Sequence, residues 1–224
     1  MEKADIEAYA ERCTDFSTWL HVDIADGAFV QNMTWPFTNP AQQKELASLR
    51  GMQIQKNVRL EAHLMTAEPS QLGEKFARAG FVRVSGHVEA FQSDDETRAA
   101  LEIWRAAGAT EVGIAMKFST PLSVLESIVD ACDFLHIMSI QEIGEQGHEF
   151  DERILSHVEE IHALYPDMMV AVDGGVNEAT VEELVRAGAN RLMVGNALAE
   201  SANPAKTYMH ILERAQRGCS VPAV

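Results

Sequence analysis

Seven short apolar runs alternate with longer amphipathic segments along this chain, and that alternation constrains its fold more than any other feature. The runs are WLHVDI (19–24), VRLEAHLM (58–65), FVRVSGHV (81–88), EVGIAMKF (111–118), DFLHIMSI (133–140), MMVAVDGG (168–175) and RLMVGNAL (191–198). Each is rich in Val, Ile, Leu and Met and too short for a free-standing helix, so each reads as a buried strand. Between them, AQQKELASLR, PSQLGEKFARAG, ETRAALEIWRAAG, PLSVLESIVDAC, DERILSHVEEIHALYP and NEATVEELVRAGA repeat apolar residues at i, i+3 and i+4. That stripe belongs to a helix with one face against a core. IEAYAERC opens the chain as a further helix and NPAKTYMHILERAQ closes it. Gly80, Gly108 and Gly188 follow helices as left-handed stops. Pro40, Pro69 and Pro121 stand near helix starts, where a missing N–H costs nothing.

Strand-end positions Asp23, His63, His87, Lys117, Met138, Asp173 and Gly195 recur at intervals of roughly 29 residues, the length of a βα unit. Strict alternation at this spacing means parallel strands joined by crossover helices. A (β/α)8 barrel and an open doubly wound sheet both satisfy it. No GxGxxG or GxxxxGK[ST] follows any strand, which weighs against the nucleotide-binding open sheets. We therefore expect an α/β fold, a (β/α)8 TIM barrel spanning 1–224 as one domain. It is expected to lack its first β-strand at the N-terminus, because the residues before Ile6 are too few and too polar to form one. A gene start placed too late and an incomplete barrel are the two explanations. The second would leave strand edges unpaired, which invites dimer contacts.

Composition removes several classes of function. Lys and Arg number 18 against 34 Asp and Glu, a formal charge of −16. Binding to a phosphate backbone needs the opposite sign, so nucleic acid is not an expected partner. No stretch approaches the roughly 18–20 apolar residues of a membrane span, so a membrane is not expected either. The opening MEKADIEAYAERC is charged from its second residue, unlike a secretory leader. Cys13, Cys132 and Cys219 are widely spaced and form no CxxC pair. The expectation is a reducing, cytoplasmic location.

In such a barrel the chemistry gathers at the C-terminal ends of the strands. His21 and Asp23 fall there, and residues i and i+2 of a strand share a face. His63 in EAHLM and Asp173 in VAVDGG close two other runs. Two imidazoles and two carboxylates suit one divalent transition-metal ion such as Zn, Fe or Mn. Each residue alone has a plainer explanation, a hydrogen-bonded core histidine or a turn aspartate. The set at matching strand ends carries the inference. Gly174-Gly175 and Gly195-Asn196 follow the last two strands, where barrel enzymes commonly hold phosphate on backbone N–H groups. Ordinary turns would use the same residues. His87 fits core packing better than a place behind the site. Lys117 reads equally as structural or as a neutralising cation. His148, His157, His162 and His210 read as surface or loop residues.

These residues resemble ribulose-phosphate 3-epimerases. HVDIADGAFVQN resembles the family's H-x-D-x-M-D-G-x-F-V-P-N, EAHLM its D-x-H-L-M, and GHVEA its F-H-x-E-A. GIAMKFSTPL, HIMSI, VAVDGGVN and MVGNAL resemble G-x-A-x-[KN]-P-x-T-P, V-x-x-M-[ST]-V, V-D-G-G-[IV]-N and V-x-G-[ST]-A, in order from about 19 to 200. The resemblance implies a metal-dependent isomerase that interconverts D-ribulose 5-phosphate and D-xylulose 5-phosphate by epimerisation at C3. It implies His21, Asp23, His63 and Asp173 as ligands of one divalent ion, with Asp23 and Asp173 also the two acid/base carboxylates. Met65 and Met138 would line the floor over the reacting carbons. Gly144, Gly147, Gly174, Gly175, Gly195 and Asn196 would belong to the substrate and phosphate turns. A sugar phosphate is the implied small-molecule partner, and a homo-oligomer rests on the resemblance alone.

Three departures keep alternatives open. The segment 138–150 is one residue longer than the family's loop, replaces a glycine with Gln146 and adds Glu142, Glu145 and Glu149. Carboxylates beside a phosphate dianion are unfavourable unless they face solvent. Ala25 stands where the family has Met, which opens one wall. No Ser-Ala-Asp-like opening strand is present. The alternatives are an epimerase or lyase on another ketose phosphate, such as allulose 6-phosphate, and a non-catalytic sugar-phosphate-binding barrel.

Overall fold

The computed structural model describes residues 3–39, 57–140, 143 and 150–219. The helix expected over 41–50, Pro40, Gly144, Gly147 and His148 lie outside them. All seven expected strands form: β1 Trp19–Ala25, β2 Arg59–Met65, β3 Phe81–His87, β4 Glu111–Met116, β5 Phe134–Met138, β6 Met169–Asp173 and β7 Arg191–Met193. They are parallel and follow chain order, with helices between several of them, the α/β TIM-barrel class. Among the described residues a helix, α1 (Lys3–Cys13), precedes β1, where an eight-stranded barrel would open with a strand. The chain divides into two compact units, Met1–Ala115 with Ser123–Asp133, and Met116–Leu122 with Phe134–Val224.

In the first unit the register sorts side chains into layers. His21, Glu61, Arg83 and Glu111 lie side by side across β1–β4, and Asp23, His63, Ser85 and Gly113 form the next row. Residues two apart share a face, so all the polar groups stand on one side of the strands. The alternate residues Leu20, Val22, Ile24, Ala62, Leu64 and Val84 are buried apolar groups on the other. Helices α2 (Pro69–Arg78) and α3 (Asp94–Ala107) pack against each other. Gly73 makes that contact possible: a Cβ there would meet the Trp104 indole at 2.3 Å. The indole N–H donates to the Ser70 carbonyl at 2.8 Å. Ser93 caps α3 by accepting from the Glu96 N–H, the side-chain capping expected of serine.

The row below the donors is ionic. Arg83 Nη1 donates to Glu61 Oε2 and Nη2 to Glu111 Oε1, both at 2.8 Å. The guanidinium carbon lies 3.7 Å from the Trp19 ring centre, a cation over an aromatic face. Glu61 and Arg83 are both buried.

One expected helix is different. Segment 121–132 forms two 3-10 turns, Leu122–Leu125 and Val129–Ala131. Its amphipathic spacing is real, but its carbonyls are taken from outside. The Arg98 side chain donates to the Ser127 carbonyl and Arg105 to the Ala131 carbonyl, at 2.8 and 2.7 Å. The N–H groups of Ile128, Ala131 and Cys132 turn instead to carbonyls three residues back, the tighter 3-10 pattern.

In the second unit β5, β6 and β7 pair in parallel, with Met138 beside Asp173 and Asp173 beside Met193. Helices α4 (Arg153–Leu164), α5 (Val181–Ala187), α6 (Asn196–Ala199) and α7 (Pro204–Cys219) follow their strands. Gly80, Gly108 and Gly188 all take positive φ just past helices, as expected. His157, expected on the surface, lies on α4 beside Phe118, with ring centres 5.8 Å apart and its Nε2 buried.

Candidate metal and catalytic site

Asp23 is the hub of the first unit's donors. Its Oδ1 lies 3.2 Å from His21 Nε2 and 2.9 Å from His63 Nδ1. Strand alternation brings His21 and Asp23 to one face, and the register sets His63 beside Asp23. Thr34 fixes the strand end: its hydroxyl donates to the Asp23 carbonyl at 2.7 Å and accepts from the Ala25 N–H at 2.9 Å. Asp26 then ties two loops together, accepting from Ala28 and Phe29 after β1 and from Ala67 after β2.

The charges here are coupled. Burial alone would discourage a proton on His21, but Asp23 and Glu61 outweigh it and hold the imidazole pKa well above 6.5. Burial would also favour a neutral Asp23, yet His21 and His63 hold its carboxyl well below 3.8. Both shifts favour the imidazolium–carboxylate form of the pair. A metal ion would displace the His21 proton and take over its charge.

His63 is fully buried and its ring is gripped on both sides. Its Nε2 lies 3.0 Å from His87 Nε2, whose Nδ1 lies 3.1 Å from Glu89 Oε2. The sequence favoured core packing for His87; it also forms a chain from Glu89 to the candidate ligand. Such outer partners fix the ring orientation of a metal-binding histidine.

In the second unit Asp173 closes β6. Its carbonyl accepts from the Ser139 N–H at 2.7 Å and from the Ser139 hydroxyl at 2.8 Å. Gly174 has φ +106°, and a Cβ there would meet Ile140 at 2.8 Å, so this position needs glycine on both counts. At Gly175 a Cβ would meet Phe150 at 3.0 Å, whereas Gly195 looks onto open space and caps the short helix at Asn196. Met138, beside Asp173, and Met65, at the end of β2, are both buried.

His136 is a candidate that sequence reasoning missed. It sits on β5 two residues before Met138, on the same face, with Nε2 3.4 Å from Asp173 Oδ2. The signal was present, an imidazole inside an apolar run, but Met138 holds the strand-end position of that run. Of the described residues, His21 and His63 are candidate metal donors in the first unit, and His136 and Asp173 are candidate metal donors in the second. Donor spacings support the fit. Ligand bonds of about 2.1 Å set neighbouring donors about 3.0 Å apart at a right angle and about 3.4 Å at the tetrahedral angle.

The sequence profile of the ribulose-phosphate 3-epimerase family matches residues 2–199. The chain belongs to that family. It is accordingly an enzyme of the isomerase class. Ribulose-phosphate 3-epimerase from Mycobacterium leprae is 33% identical over 201 residues, 88% of this chain and 84% of that one. The Schizosaccharomyces pombe enzyme of the same name is 33% identical over 189 residues, covering 84% of this chain and 78% of its own. Among solved structures, 3-keto-L-gulonate-6-phosphate decarboxylase from Vibrio cholerae superposes with a TM-score of 0.72 at 15% identity, covering 96% of this chain and 93% of that one. A 3-hexulose-6-phosphate synthase gives 0.69 at 16%, covering 96% and 95%. At those identities the likeness is one of fold. No helix among the described residues is long and apolar enough to cross a membrane.

Proposed function

We propose that this epimerase-family protein epimerises C3 of a ketopentose phosphate, D-ribulose 5-phosphate to D-xylulose 5-phosphate, with a divalent ion at its site. The observation that carries the reading is Asp23, a strand-end carboxylate kept ionised by two imidazoles, within a chain matched to the family from residue 2 to 199. His21, Asp23, His63 and Asp173 would hold the ion. When bound, it supplies Lewis-acid stabilisation of the negative charge that develops on the sugar.

The protein's own groups do the proton work. One carboxylate, Asp23 or Asp173, accepts the C3 proton on one face of the sugar, leaving an ene-diolate. The other donates a proton to the opposite face, which inverts C3. After each turnover the two carboxylates have exchanged protonation states, which suits the reverse reaction, and proton exchange with solvent resets them for another turnover in the same direction. Met65 and Met138 exclude water without offering a competing proton. Gly174, Gly175, Gly195 and Asn196 are proposed to take the phosphate, together with Gly144 and Gly147 from outside the described residues.

The test is elemental analysis of the purified protein alongside turnover of ribulose 5-phosphate and loss of deuterium from C3 into water. One tightly held divalent ion, steady turnover and label loss are expected. Asp23→Asn and Asp173→Asn should each lower kcat by about 10²–10⁴-fold. Ion binding without label loss would mark a barrel that binds sugar phosphate and does not turn it over. A second reading, another ketose phosphate, rests on the acidic residues Glu142, Glu145 and Glu149 in the 138–150 segment. A substrate panel including allulose 6-phosphate separates the two.

A further inference from the structure

We propose that His136 is a metal ligand, its Nε2 binding the same divalent ion as Asp173. The inference rests on the reading above that Asp173 holds an ion, and extends it to a residue that reading does not use.

Three observations in the second unit carry it. The Nε2 to Oδ2 separation of 3.4 Å is long for a charge-assisted hydrogen bond, which closes to about 2.7–2.9 Å. It equals the edge between two ligands at a tetrahedral angle around an ion with bonds of about 2.1 Å. Next, the strand makes room for the ring. His136 pairs in register with Ala171, whose single methyl leaves space for the imidazole to lean toward Asp173, two residues further along β6. Finally, the ring is completely buried, on the strand face that also carries Phe134, Met138, Ala171, Asp173, Arg191 and Met193. Burying an imidazole is costly unless its nitrogens are used. Coordination uses one of them.

The chemistry has a direct consequence for the ion. With His136 the donor set holds three imidazoles, which favour Zn, Fe and Co over oxygen-loving ions such as Mn and Mg. Without it the set is balanced, two imidazoles and two carboxylates.

The experiment titrates metal-free protein with Co²⁺ alone and with Mn²⁺ alone, reading the Co²⁺ visible spectrum and the affinity against a competing chelator. His136→Leu replaces the imidazole with an apolar group, and His136→Asn keeps a polar one should the leucine variant fail to fold. Melting of the metal-free variants checks their integrity. Expected in both is a changed band position and intensity at saturating Co²⁺, with Co²⁺ affinity lower by at least about tenfold and Mn²⁺ affinity less affected. Spectra identical to wild type at saturation overturn the proposal, even with weakened affinity, because His136 would then act only through Asp173. If the wild-type protein binds neither ion, the function proposed above falls and this inference with it. If it binds Co²⁺ and Asp173→Asn alone alters the spectrum, only this inference falls.

Discussion

At the scale of single residues, burial and partnership decide what each histidine can do. His21 and His63 were visible in the sequence because each interrupts an apolar run near its end, where barrel chemistry gathers. His136 interrupts a run in the same way, two residues before its strand end as His63 is, but nothing in the linear chain reveals that Ala171 stands beside it. His157 shows the other limit. An imidazole on an amphipathic helix looks solvent-facing, yet its Nε2 is buried with no hydrogen-bond partner among the described residues. Burial pushes its pKa below 6.5, with Glu160 pulling weakly the other way. The sign of the consequence follows. As pH falls through 6.5 the unfolded chain takes up this proton before the folded one, so folding loses stability on the acid side. The contribution is complete above 6.5 and gone below the folded value. With metal removed by chelator, the fall in melting temperature from pH 7 to pH 5 should be shallower in His157→Leu than in wild type.

Elements were the most legible level. All seven strands fall where the apolar runs predict, because a buried parallel strand writes its burial into every residue. Helices with both a start signal and a glycine stop were equally clear. Segment 121–132 was not, since its local pattern is helical and the competing donors, Arg98 and Arg105, come from another helix. Sequence periodicity does not record that competition. The strand ends were also opaque: nothing in VQNMTW marks Thr34 as the group that secures Asp23 and Ala25. Thr34→Val keeps the shape of the side chain but strands a buried carbonyl and a buried N–H, at a cost of about 1–3 kcal/mol. The denaturation midpoint should fall accordingly. With Asp23 less firmly aimed, kcat should drop by more than KM rises.

For the molecule as a whole, charge sets the terms of encounter. A formal charge of −16 repels a sugar-phosphate dianion and attracts a divalent cation. Salt screens such fields with a Debye length of about 8 Å at physiological strength. kcat/KM for the sugar phosphate should therefore rise as NaCl is increased from a few millimolar toward ~0.15 M, and stopped-time assays across that range would show it. A fall would mean that a local positive field at the site overrides the net charge.

The ionic row beneath the donors has a consequence for descent. Arg83 serves Glu61 and Glu111 together, with Trp19 lying against its plane. Exchanging Arg83 by itself would strand the buried Glu61 carboxylate, a penalty of about 3–5 kcal/mol for a buried pair. Drift at these positions must then be concerted, so the trio should be inherited as a block: kept whole in some lineages and replaced outright by hydrocarbon in others.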